Sequence, residues 1–291
     1  MVPNGPDDSW STVAESYRHQ PFVKWHPIST PHANVARNFG MGKALGYYIR
    51  FLDDDDWLYP EACCKQLEAL RESGCDLSSG AIDVVAHDRG RIKRLGQPMT
   101  ADFVVSALCP QRMTHPCGHI YSREKLFPVR WDESLLVRQD TAWLIELACS
   151  QELRWHRLDE AVGAWVQHHG QRLSRGRDPG AAALKATAEL IQRSFLALDQ
   201  QGRLTTERRE AASDALWSSL QKGLRYDWNY WSSVAKLAET YSPGRRPPSA
   251  MHRMRIAKYV SPIVLETLLI PIRIAFHPLR RILDRLGINR V

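Results

Sequence analysis

An apolar run that ends in four consecutive aspartates constrains the fold of this chain more than any other feature. Residues 47–60 read YYIRFLDDDDWLYP. YYIRFL is short, mostly apolar and rich in β-favouring residues, which suits a buried strand. Ahead of it, VARNFGMGKALG places Val35, Phe39 and either Gly42 or Lys43 about one turn apart and predicts a helix ending near Gly46. Behind it, Pro60 can occupy the first turn of a helix, PEACCKQLEALRESG, with Cys63, Leu67 and Leu70 on one side and Gly74 at its end. Helix, strand, acidic turn, helix is the wiring of an open α/β sheet. Ligands of such sheets bind beyond the carboxyl ends of the strands, which is where the aspartates fall.

Four adjacent carboxylates repel one another. One or two acids before a helix serve as caps and favour its dipole, but four exceed that need. A divalent cation with oxygen ligands would offset the repulsion. Mg²⁺ and Mn²⁺ held by one or two carboxylates commonly share their remaining positions with substrate phosphates. The same ion can then neutralise a diphosphate leaving group.

Further along, GAIDVVAHDRGRIKRLG reads as a hairpin turning near Asp88, Arg89 and Gly90, with Arg89, Arg91, Lys93 and Arg94 forming a solvated edge. CGHIYSREKL predicts a strand running into a short helix. A strong helix begins at about Gln139, with Trp143, Leu144 and Leu147 at helical spacing. LRWHRLDEAVGAWVQHHG alternates enough for one or two strands. Trp143, Trp155 and Trp165 read as core residues. From Pro179 onward, AAALKATAELIQRSFLALDQ, TTERREAASDALWSSLQKGL and YWSSVAKLAETY predict a separate helical bundle, joined through residues 176–180. SPGRRPPS is a second boundary, too rich in Pro and Gly for regular structure. The expected organisation is therefore an α/β domain over 1–176, a helical domain over 177–245 and a basic amphipathic tail over 246–291.

At 291 residues, with ten tryptophans, the chain can build a sizeable core. The net charge of +7 resides in the tail: residues 245–290 hold ten of the 39 Lys and Arg against two of the 32 acids. The body is nearly neutral, which argues against nucleic acid as a partner and for a local surface preference. The six cysteines show no CxxC or zinc-type spacing and read as free thiols of a reducing cytosol. MVPNGPDDSW has neither the basic nor the apolar region of a signal peptide.

ARNFGMGKALGYYIRFLDDDDWLYP resembles the central signature of family-2 glycosyltransferases. That signature is a helix opening with ARN, a Gly before an apolar strand, an Asp-x-Asp pair and a Pro at the next helix. PNGPDDSW resembles the family's nucleotide turn, WDESLLVRQDTAWLIELA its Glu-Asp block, and LDEAVGAWVQHHGQRLSR its closing segment. The resemblance covers about residues 2–175. It implies a GT-A type fold: a Rossmann-like open α/β sheet, followed here by an α-helical C-terminal region. It also implies inverting transfer of a sugar, from a nucleotide-diphosphate donor (a UDP-sugar as the family's commonest choice) to a hydroxyl of a glycan or lipid-linked acceptor.

Carried over by position, Asp53 and Asp55 would hold Mn²⁺ or Mg²⁺, with Asp53 nearer the ribose and Asp54 and Asp56 supporting. Asp140 would be the general base. Arg37 and Asn38 would lie beside the donor, Asn4 and Asp7 in the nucleotide turn, and His169 near the diphosphate or the acceptor. Two features depart from the family: Gln139 stands where Glu is usual, and the family's first strand and helix do not precede PNGPDDSW in this sequence, which reads either as a misplaced start or as a short protein. The alternative reading is accordingly a truncated, non-catalytic relative that binds a partner. The run from Tyr259 to Phe276 approaches membrane-spanning length, but Glu266, Arg273 and two prolines argue for an interfacial segment on anionic lipid. Its rival is a helical cap packed on the bundle. The lipid reading places the protein peripherally on the cytoplasmic face of the cell membrane.

Overall fold

The computed structural model describes residues 1–86, 90–109, 115–167 and 180–285. The chain divides into two compact units, Met1–Asp178 and Pro179–Val291.

The first unit runs α1 (Trp10–Ser16), α2 (Ala33–Lys43), β1 (Tyr48–Ile49), β2 (Trp57–Leu58), α3 (Pro60–Ser73), β3 (Leu77–Ala86), β4 (Arg91–Leu95), α4 (Phe103–Leu108), β5 (His119–Ser122), α5 (Arg123–Leu126), α6 (Gln139–Ser150) and β6 (Trp155–Gln167). Its six strands form one mixed sheet in the order β1-β5-β3-β6-β2, with β4 beside β3. β3 is the axis, buried at every residue from Leu77 to Val85. On one side it pairs in parallel with β6 along its whole length. On the other, β5 takes Leu77–Ser79 and β4 takes Ile82–Val85, both antiparallel. A strand flanked on both edges and covered on both faces must be nearly continuously apolar or small, and LSSGAIDVVA meets that requirement.

The antiparallel β3–β4 pair, the strand into α5 and the helix at Gln139 match the sequence reading, whereas Asp88 and Arg89 of the expected turn lie outside the described residues. The last alternating segment is a single long strand. Arg94 is exposed on the hairpin edge, and its Nε donates to Asp83 Oδ1 at 2.8 Å. The YYIRFL strand is corrected: only Tyr48 and Ile49 enter the ladder. β1 is an edge strand with one neighbour, and that neighbour turns into α5 after Ser122. The preceding helix also stops early, at Lys43, where Ala44 is already extended. Residues 1–5 run beside 26–28 through Gly5 N–H to Ile28 O (3.0 Å) and Ile28 N–H to Pro3 O (2.9 Å), outside the six-stranded sheet.

The second unit contains α7 (Gly180–Gln200), α8 (Thr206–Gly223), α9 (Trp228–Tyr241), α10 (Ala250–Arg253) and α11 (Pro262–Arg285). Thr205 and Asp227 cap α8 and α9 by accepting from Arg208 N–H and Tyr230 N–H. Trp217 and Trp231 are fully buried between these helices. Between Arg245 and Arg273, side chains tie the chain to α8. Arg245 binds Asp214 at 2.7 Å and Glu210 at 2.6 Å. Glu266, with no exposed surface, accepts from His252 (2.8 Å), from Gln221 (3.0 Å) and from Arg273. A buried carboxylate needs such partners, and they pin α10 and α11 to α8. Among the described residues, no helix is long and apolar enough to cross a membrane.

Candidate active site

The acidic turn closes on itself through Asp56 N–H donating to Asp53 O at 3.2 Å, and its four side chains diverge. Asp56 turns inward: its side chain is 1% exposed and its Oδ1 accepts from Val166 N–H at 3.0 Å, tying the turn to β6. Asp53 turns to the cleft, where Arg37 Nη2 donates to its Oδ1 at 3.0 Å. Asp54 and Asp55 are exposed. The repulsion of the run is thus relieved in part by a backbone amide at Asp56 and a guanidinium at Asp53.

Arg37 is the hub. It rises from α2, which also buries Asn34, Ala36, Asn38 and Met41. Its Nη1 donates to Asn34 Oδ1 and Gln139 Oε1, both at 3.1 Å, and lies 4.0 Å from Asp140 Oδ1. Its guanidinium sits over the Trp131 ring at 4.5 Å. Trp131 stacks on Trp143 at 4.5 Å with parallel planes, and Phe51 meets both edge-on at 5.2 and 5.4 Å. An aromatic floor therefore carries a cation that spans two acids. Such a half-buried guanidinium, stacked and multiply hydrogen-bonded, has one geometry available to it.

Asp140 stands in the first turn of α6, where the helix dipole favours its charge. Arg138, just before the helix, adopts a left-handed backbone with φ +59°. A non-glycine residue held there stores strain of the kind found at functional sites, and here it sets the angle at which α6 presents Asp140. Burial by the cleft wall raises the Asp140 carboxyl above the ordinary range; Arg37 opposes that rise and Asp53 adds to it. The side chain nevertheless keeps 45% of its surface accessible, so it can still meet an acceptor. The cleft is lined by Arg37, Phe51, Asp53, His115, Pro116, Cys117, Trp131 and Asp140.

Residues 1–130 match the sequence profile of glycosyl transferase family 2. Over those residues the chain is similar to family-2 glycosyltransferases. A curated relative, the succinoglycan biosynthesis protein ExoO of Rhizobium meliloti, is 30% identical over 128 residues, 39% of this chain and 36% of that protein. The chain thus spans about a third of the length of that relative. Among solved structures, S. aureus TarS 1–349 with UDP-GlcNAc superposes with TM-score 0.55 at 14% identity, covering 84% of this chain and 83% of that one. The same protein without ligand gives 0.51 at 16% identity, covering 84% and 82%. These likenesses establish the GT-A-like fold.

Within the first unit, the expected site residues separate into three groups. Arg37, Asp53 and Asp140 converge on the cleft, with Asp55 exposed on the same turn. Asn38 does not face the cleft. It is 3% exposed, its Nδ2 donates to Trp131 O and Glu133 Oε1 (both 2.8 Å), and its Oδ1 accepts from Trp131 N–H at 2.9 Å. This corrects its assignment beside the donor: it positions Trp131, which carries Arg37. Asn4 and Asp7 are exposed in the N-terminal segment and are not among the cleft-lining residues. Asp7 instead accepts from Ser9 N–H at 2.7 Å. His169 lies outside the described residues.

Gln139, the departure from the family block, has a defined task. It accepts from Arg37 and donates to Leu135 O at 2.9 Å. A neutral acceptor leaves the positive charge of Arg37 to Asp53 and Asp140. Trp131, His115 and Cys117 were missed as cleft residues, because no spacing in the sequence links 115–117 to the acidic turn. For a divalent cation, Asp53 and Asp55 offer only hard carboxylate oxygens. That donor chemistry fits Mg²⁺ or Mn²⁺ completed by phosphate oxygens.

Proposed function

We propose that this chain transfers a sugar from a nucleoside-diphosphate donor, a UDP-sugar first, to a hydroxyl of a glycan or lipid-linked acceptor, with inversion at the anomeric carbon. The observation that carries this reading is the Arg37 bridge, 3.0 Å from Asp53 on the acidic turn and 4.0 Å from Asp140 on α6. It gathers a donor-side acid and an acceptor-side base in one cleft. Asp140, with its raised proton affinity and accessible oxygens, takes the proton from the acceptor hydroxyl as that oxygen attacks. Arg37 holds Asp53 and keeps the two acids apart. Asp53 and Asp55 would hold Mn²⁺ or Mg²⁺, whose chemistry is to stabilise negative charge on the departing diphosphate. A single in-line displacement needs no nucleophile on the protein.

The second unit supports a membrane-proximal acceptor. Met254 (50% exposed), Tyr259 (90%), Val264 (49%), Leu268 (62%) and Ile272 (49%) present apolar surface, and Arg253, Arg255 and Lys258 are exposed beside it. Apolar side chains flanked by cations suit the interface of an anionic bilayer, in keeping with a peripheral place on the cytoplasmic face of the cell membrane.

Calorimetric titration with UDP, with and without Mn²⁺, tests the donor reading. Metal-dependent binding that Asp55→Asn eliminates is the expected result. Metal-independent binding, or none with UDP, GDP or TDP on folded protein, would overturn it. Co-sedimentation with phosphatidylglycerol vesicles against phosphatidylcholine vesicles tests the membrane surface, and equal partition would remove it.

A further inference from the structure

We propose that Asp56, His115 and Cys117 form a second cation site, for a borderline-soft divalent ion such as zinc, in the inner wall of the cleft. Asp56 closes the acidic turn. His115 and Cys117 flank Pro116 at the 3-10 turn Pro116–Gly118, which leads into β5. One oxygen, one nitrogen and one sulfur lie within 4.8 Å of one another. His115 Nδ1 is 3.1 Å from Cys117 Sγ and 3.7 Å from Asp56 Oδ2. Tetrahedral zinc, at roughly 2.0 Å from oxygen and nitrogen and 2.3 Å from sulfur, separates its ligands by roughly 3.3–3.6 Å. Side-chain shifts on the order of an ångström would bring the three onto one ion.

The surroundings orient the ligands as metal sites require. Val166 N–H holds Asp56 Oδ1 and so directs Oδ2 toward His115. The His115 ring stacks on Trp165 at 4.9 Å and 18°. The side chains of Asp56 and His115 are 1% and 16% exposed, and Cys117 is 2% exposed. His115 and Cys117 also line the cleft with Arg37, Asp53 and Asp140. Three protein ligands and a fourth position opening on the cleft is the arrangement of a zinc site that admits a further ligand.

The donor set separates this site from Asp53 and Asp55. Oxygen-only ligands suit Mg²⁺ or Mn²⁺, whereas mixed oxygen, nitrogen and sulfur select zinc. A nucleophilic Cys–His pair is the other chemistry that these two side chains could support. Asp56 Oδ2, 3.7 Å from His115 Nδ1, adds a third ligand atom to the cluster, which favours a metal over a nucleophilic pair. Binding replaces the S–H proton by the metal and releases that proton to solvent; no electron is transferred.

The test is titration of the metal-free full chain with Co²⁺, followed by zinc competition against a chromophoric chelator. One equivalent of Co²⁺ should give a sulfur-to-cobalt charge-transfer band. The band should survive Asp55→Asn and vanish in Cys117→Ser and in His115→Ala. His115→Ala, at the accessible edge of the site, serves where Cys117→Ser disturbs the core. Zinc affinity should fall in His115→Ala by more than the roughly 10–100-fold typical of a lost outer partner. Absence of the band, or its persistence in Cys117→Ser through one of the other five thiols, would overturn the proposal. Manganese-dependent UDP binding by the same proteins reports separately on the donor site, so either reading can fail alone.

Discussion

His119 makes the acid stability of the first unit predictable. The ring is 0% exposed within β5, its Nδ1 lies 2.7 Å from Tyr121 Oη, and Phe103 packs against it edge-on at 6.5 Å. Burial, with smaller contributions from His115 and Arg50, lowers its pKa from 6.5 to about 3. A base whose folded pKa is depressed binds fewer protons in the native chain than in the unfolded one. Stability therefore rises with pH between those two values, is fully present above the upper one, and is lost as the pH falls. Relative to about pH 8, this residue alone should remove roughly 2 kcal/mol at about pH 5, at 1.36 kcal/mol per unit. His119→Gln cannot take up the proton and keeps a partner for Tyr121. The stability gap between wild type and variant should therefore shift by about 2 kcal/mol between those pH values, read from urea unfolding followed by near-ultraviolet circular dichroism. An NMR titration should show the ring neutral throughout. A gap that stays constant with pH, or an imidazole that titrates in its ordinary range, would refute the reasoning.

Other consequences are as direct. Asp140→Asn should lower turnover about 10²–10⁴-fold while sparing UDP binding; sugar transfer at the wild-type rate would remove the base assignment. Arg37→Met leaves Asp53 and Asp140 without their shared cation, so the acid limb of the pH–rate profile should move upward and donor affinity should fall; an unchanged profile would show that the bridge is incidental. In the bundle, a Cβ at Gly223 would lie 2.1 Å from Trp231, so Gly223→Ala should destabilise α8 against α9 by about 1–3 kcal/mol in thermal unfolding. Glu266→Ala strips His252, Gln221 and Arg273 of their common acceptor and should cost about 3 kcal/mol, seen as early loss of α10 and α11 protection in hydrogen exchange.

The sequence by itself determined the class of fold and the location of the site. Period-2 and period-3.6 patterns are local, so the β3–β4 hairpin, α6 and the three long helices were legible. So was the placement of an acidic turn after a strand. Asp53, Asp55, Asp140 and Arg37 were legible as candidates through motif order, although Asp140 is 87 positions from Asp53.

Tertiary structure decided what each of these groups does. Strand length depends on neighbours, and YYIRFL, at an edge with one short partner, pairs through only two residues. The four aspartates are identical as letters, yet Val166 N–H turns one inward and Arg37 claims another. Asn38 reads as a donor contact beside Arg37, but its amide is engaged by the Trp131 backbone and Glu133 and is buried. His115 and Cys117 come beside Asp56 only when the turn before β5 meets the acidic turn. Composition leaves the basic tail between an interfacial segment and a cap on the bundle; Glu266, which looked costly in lipid, is buried and bonded to Gln221 of α8. Charge and periodicity are properties of the chain, whereas the partner of a buried polar group is set by what the fold brings within 3 Å of it.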